Sequence, residues 1–199
     1  DGYKARVPAG WLSLLVNAGD GIDLDVFLAR QPKDRMVRKL GQQLRINRSK
    51  IKETSDTNTD FDDLDGAIRS GYFLKDGLSN NEDFYYLNLL ITVTAGSVDD
   101  LEWKVAEMKK LLLSQDMDVQ TCSFCQEQAF LSSLPLVSLE RQLYERSKRN
   151  VLTTGAASCY PFTSYEMCDD NGILLGVNKH NNSLIIVDIF DSRVYKNAN

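Results

Sequence analysis

The clearest regularity in the chain is a change of hydrophobic period. Between Ile22 and Leu28, apolar side chains at Ile22, Leu24, Val26 and Leu28 alternate with Asp23, Asp25 and Phe27, the two-residue repeat of a strand with one wet face. From Asp34 the repeat lengthens. Val37, Leu40, Leu44 and Ile51 fall at intervals of three, four and seven, which places them on one stripe of a helix running to about Glu53. Residues 54–63 are polar and turn-rich, and a second helix is predicted from Leu64 to Lys75, with Gly66 and Gly71 counting against it. Phe84 to Thr94 is apolar at most positions, as a central strand covered on both faces requires.

Ser97 opens a further helix with Asp99 and Asp100 in its first turn, Lys109 and Lys110 in its last, and an inner stripe of Leu101, Val105, Met108 and Leu112. Met117 to Phe124 reads as another strand, which would complete a β-α-β unit with two parallel strands and a right-handed crossover. Short helices are predicted at 126–134 and 138–148, separated by Pro135. Ile173 to Val177 and Leu184 to Ile189, joined by an asparagine-rich stretch around His180, predict a β-hairpin. The expected fold class is α+β: a mixed sheet with a β-α-β unit, ferredoxin-like in kind, plus the C-terminal hairpin. Residues 1–150 are expected to form one α+β domain and 151–199 a hairpin segment.

Composition confirms a globular chain and removes several functions. Of 199 residues, 43% are hydrophobic and 26% charged, which excludes disorder as the dominant state. The 23 basic and 28 acidic residues leave a net charge of −5, the wrong sign for general adhesion to polyphosphate, so no direct nucleic-acid binding is expected. The longest apolar stretch, Phe84 to Ala95, is broken by Asn88 and falls short of the ~20 residues of a membrane helix. The polar start at Asp1 reads as a cut inside a longer protein. His180 is the only histidine, so two-histidine metal sites are excluded and any Ser-His-Asp or Cys-His arrangement has to be built on it. No glycine precedes a lysine, which removes the phosphate loop of nucleotide hydrolases.

Cys122 and Cys125 form C-S-F-C, a spacing open to half a zinc site or a redox pair. Cys159 and Cys168 do not repeat that spacing, and the pair falls in or at the end of a predicted strand rather than at a helix start, so reduced, buried or half-buried thiols are expected. His180 is expected as an exposed turn residue, and Asp169, Asp170 and Asn171 as a turn that lacks the spacing of a calcium loop.

Charge patterning is more informative. Nine lysines and arginines lie between Arg30 and Lys52 with Asp34 as the only opposing acid, and Glu53 to Asp65 then carries six acids and no base. Two readings stand. Arg35, Arg38, Arg45 and Lys52, sharing roughly one side of the helix, form a docking face for anionic lipid headgroups or an acidic partner, each residue contributing ~1 kcal/mol. Alternatively the helix face is merely solvated and neutralised by the acidic run beside it.

The last third of the chain carries a resemblance. Tyr160-Pro161-Phe162-Thr163-Ser164-Tyr165-Glu166, the segment Gly172 to Asp188 and the closing Lys196-Asn197-Ala198-Asn199 resemble the approach to the phosphate loop in conjugative-transfer ATPases. This is the VirB-four, TraC and TrbE family of type IV secretion systems, with the likeness greatest to members from Gram-positive conjugative elements. Asp23-Leu24-Asp25-Val26 and the stretch Gln126 to Leu136 keep the same order of landmarks. The resemblance spans about Gly10 to Asn199 and is most specific at the hairpin. It implies a noncatalytic N-terminal domain that packs beside its own RecA-like ATPase domain and contacts inner-membrane subunits of the secretion channel, at the cytoplasmic face of the membrane. ATP and magnesium are implied for the longer protein, and no catalytic, cofactor or metal residue carries over to this chain. A stand-alone cytoplasmic enzyme using Cys122 and Cys125, or His180 with an acid, is the competing expectation.

Overall fold

The computed structural model describes residues 7–53, 59–163, 168–169, 171–179 and 182–191. In chain order the elements are α1 (Ser13–Val16), β1 (Ile22–Gln31), α2 (Lys33–Glu53), α3 (Thr59–Ser79), β2 (Phe84–Val93) and α4 (Val98–Ser114). They continue with α5 (Gln126–Ser133), α6 (Arg141–Ser147), β3 (Arg149–Leu152), α7 (Thr153–Ser158), β4 (Ile173–Val177) and β5 (Leu184–Val187). The class is α+β, with a three-stranded antiparallel sheet in the order β1-β2-β3 and a separate hairpin sheet of β4 and β5.

β2 is the central strand, and its alternating side chains feed two cores. Leu87 joins Leu12, Leu15, Met108 and Leu112 on one side, with Leu24, Val26, Leu89 and Ile91 packed against them. Phe84 and Tyr86 join Met36, Leu40, Leu74 and Leu78 on the other. This is why the run lacks the polar alternation of β1: every side chain of β2 is buried or half-buried, with none fully exposed.

The expected β-α-β unit does not form. Met117 to Phe124 pairs with no strand, and every pairing in the main sheet is antiparallel. The alternation that prompted the expectation survives as burial, because Met117 is buried and Val119 half-buried while Asp118 and Gln120 are exposed. The place beside β2 is taken instead by β3, which pairs Leu152 with Phe84 and Arg149 with Leu87. Residue 150, expected as a domain boundary, lies inside that strand.

α4 starts as read. Ser97 accepts a hydrogen bond from the Asp100 amide at 3.2 Å and donates to its carboxylate at 2.8 Å, satisfying an orphan amide of the first turn. Lys109 and Lys110 sit before the last turn rather than in it. α3 is longer than expected and includes residues 59–63, read from sequence as a turn. In the hairpin, register shifts between Leu174 and Gly176, and Gly176 takes a φ of 154°, a conformation closed to other residues. His180 and Asp170 lie outside the described residues.

Candidate docking site on the basic helix

α2 follows β1 after Pro32, lays Met36 and Leu40 into the second core and buries Leu44 one turn further on. α3 returns antiparallel to it: Gly71 meets Leu44, and the Arg48 guanidinium donates to the Tyr72 hydroxyl at 3.0 Å. Burying one stripe of α2 forces its charged residues outward. Arg35, Arg38, Arg45 and Lys52 are all exposed.

The structure divides the basic residues into three groups. Arg30 belongs to β1 and pairs with Asp83 at 2.9 Å, whose hydrogen bond and charge raise the guanidinium pKa further. Lys39 and Arg48 are used internally, Lys39 donating to the Tyr86 hydroxyl at 3.3 Å and standing 6.0 Å from its ring centre. Of the other six, Arg38 and Arg45 line an open groove with Lys75 of α3 and with Val37, Gly41 and Gln42. Each arginine anchors its Nε on a backbone carbonyl four residues back, Asp34 and Gly41 respectively, both at 3.3 Å. Both arginines line the groove, and a guanidinium fork is the geometry that best receives an oxyanion.

The acidic run lies elsewhere. Asp60 and Asp63 border a second cleft with Asn47, Lys50 and Glu53, at the end of the hairpin where α2 leads into α3. Among the described residues no carboxylate pairs with Arg38, Arg45 or Lys75. Glu53, Asp60 and Asp63 thus lie with Lys50 at the connection end of the helical pair, and the groove of Arg38, Arg45 and Lys75 lies farther from the connection. Arg35 and Lys52 share the side of α2 but do not line the groove, whereas Lys75, absent from the residues expected there, does. Nothing local marks Lys75, because its relation to Arg38 exists only once α3 folds back.

The two cysteines of C-S-F-C flank a turn into α5. Cys125 occupies the N-cap position, buried, and Cys122 is half-buried; both are free thiols. The expected strand position is therefore corrected to a helix start. Burial nonetheless pushes the Cys122 thiol upward, reinforced by Cys125 and opposed only weakly by Arg146, the reverse of what a nucleophilic thiol needs. Among the described residues no three His, Cys, Asp or Glu side chains gather in a metal-binding cluster. In the hairpin, Asp169 accepts from the Asp188 amide at 2.7 Å, and its carboxylate is thus engaged within the fold. Ile173, Leu174, Leu175 and Val177 are each more than half exposed, apolar surface of the kind that marks a contact.

Among the described residues no helix is long and apolar enough to cross a membrane. Comparisons with family models, with curated proteins and with solved structures find no match to this chain.

Proposed function

We propose that the chain is a noncatalytic docking domain of a type IV secretion or conjugation ATPase, seating the motor on inner-membrane subunits of its channel. The observation that carries docking is the groove of Arg38, Arg45 and Lys75, three cations held apart from the acidic run of their own chain. Such a surface complements an acidic patch on a channel subunit, and long-range attraction would steer the encounter. The motor assignment is supported by the resemblance of the hairpin and its flanking landmarks. The exposed apolar residues of β4 support packing against a RecA-like ATPase domain, which would bring ATP and magnesium; no residue of this chain is assigned to either. The domain would sit peripherally at the cytoplasmic face of the membrane.

The reading is tested by pull-down with the membrane subunits and by flotation with vesicles of anionic lipid, comparing wild type with the triple charge reversal Arg38→Glu, Arg45→Glu, Lys75→Glu. Retention on the subunits should fall at least ~tenfold at low salt and converge toward wild type as salt rises, because the Debye length shrinks from ~30 Å at 0.01 M to ~8 Å at physiological strength. Reversal of Arg35 and Lys52 should have a smaller effect. Binding to vesicles but not to subunits would reassign the groove to lipid headgroups, and equal binding of all variants at every salt would leave the helix a solvated face.

A further inference from the structure

β1 is hydrogen-bonded on one side only. It ends the sheet order, its ten residues match β2 without a bulge, and among the described residues nothing bonds to its other edge. Open edges are usually blunted by shortness, charged side chains, proline, a bulge or a covering element. β1 carries Asp23, Asp25 and Arg30 but no lysine, proline or bulge, and it is about twice the length of a common strand.

The direction of its peptide groups follows from the register. The Thr94 amide donates to the Gly21 carbonyl at 2.7 Å, one pair beyond Ile22 opposite Val93. Peptide groups alternate in direction along an antiparallel strand, so odd-numbered residues of β1 bond to β2. The amides and carbonyls of Ile22, Leu24, Val26, Leu28 and Arg30 turn outward.

We propose that this edge pairs with the β1 edge of a second copy of the chain, antiparallel and with Val26 on the two-fold axis, joining two three-stranded sheets into one of six. In that register every outward-bonding residue meets another: Val26 its own copy, Leu24 the partner's Leu28, Ile22 the partner's Arg30. Roughly ten backbone hydrogen bonds close. Leu28, 45% exposed on the side of the first core, gains Leu24 as its neighbour. On the opposite side Asp25 faces Phe27 and Asp23 faces Ala29, so no carboxylate meets a carboxylate. Sliding the strands by two residues one way puts Asp25 against Asp25, and the other way leaves Ile22 unpaired and Leu24 against Arg30. Asp23 and Asp25 in the first half of the strand, and Phe27 and Ala29 in the second, on that face, make the central stretch complementary to itself run backwards. That self-complementarity points to a second copy rather than to an unrelated strand.

The test is sedimentation of the 199-residue chain over a wide concentration range, together with residue-resolved amide exchange. The expected result is a concentration-dependent dimer in which the amides of Ile22, Leu24, Val26, Leu28 and Arg30 slow at least ~tenfold on concentration while those of Asp25 and Phe27 do not change. Leu28→Pro removes one outward amide and none bonded to β2, a substitution edge strands tolerate, and should leave a folded monomer. A wild-type monomer at every concentration overturns the proposal. So does a dimer whose five amides stay fast, which would move the interface to exposed apolar residues such as Phe124 and Val137. Protection of the five amides in a monomer also overturns it, since the chain would then be capping its own edge. If Leu28→Pro fails to fold, the wild-type exchange pattern still decides.

Discussion

A side-chain carbon on Gly71 would stand 2.8 Å from Cδ2 of Leu44 and 3.2 Å from its Cγ, so α2 and α3 meet where any larger residue must displace the Leu44 side chain. That contact sets the spacing of the helical pair and brings Lys75 to the groove of Arg38 and Arg45. Gly77 serves α3 in the same way against Leu152, where a methyl group would overlap the leucine.

Gly71→Val should therefore destabilise the fold by about 2 kcal/mol through overpacking and weaken any binding that depends on the groove. Gly66, also in α3, has nothing within 4 Å of a built side-chain carbon. Gly66→Ala should stabilise by ~0.5–1 kcal/mol through helix propensity alone. Urea denaturation of the two variants checks both signs.

Asn88 is 1% exposed and ties α6 to β2, its Nδ2 donating to the Tyr144 carbonyl at 3.0 Å and the Ser147 hydroxyl at 2.8 Å. Replacing it by Ala removes both bonds from a dry site and should cost about 2 kcal/mol. Ser147→Ala, which leaves the Tyr144 bond intact, should cost about 1 kcal/mol. Equal stability of all three proteins would show that the bonds contribute nothing.

Asp25 has its carboxyl pKa raised, first by burial and then by the charge of Asp23. The folded state thus holds this proton to higher pH than the unfolded chain, and stability falls as pH rises through the folded pKa. Asp25→Asn should melt higher than wild type at neutral pH, and the difference should vanish below the unfolded carboxylate pKa of ~3.9. A gain that persists undiminished at acid pH would exclude this cause.

The thiols should differ in reactivity. Cys168 is exposed, Cys122 half-buried with a raised pKa, and Cys125 and Cys159 buried. Alkylation at neutral pH, followed by mass spectrometry, should modify Cys168 first, Cys122 slowly, and the other two only on unfolding. Faster modification of Cys122 than of Cys168 would restore the competing enzyme reading.

ATP turnover is expected to be absent from this chain, since it has neither the glycine-lysine pair nor the amide cradle of a phosphate loop. Phosphate release above that of a mock preparation would refute this.

The sequence by itself determined what local forces decide. The alternation from Ile22, the stripe of Leu40 and Leu44, the Ser97 cap and the two apolar runs of the hairpin each specify an element through side-chain period or capping within a few residues, and each is present. The tertiary structure decided what depends on a distant partner. Met117 to Phe124 had the alternation of a strand, yet β3 holds the ladder position beside β2, and a strand requires a neighbour as well as a pattern. Gly66 and Gly71 argued against a helix on propensity, a term of about 1 kcal/mol each, while packing of Leu74 and Leu78 into the second core outweighs it. The charge run identified α2, but which of its cations meet solvent together, and that Lys75 joins them, follows only from the return of α3 across the buried stripe.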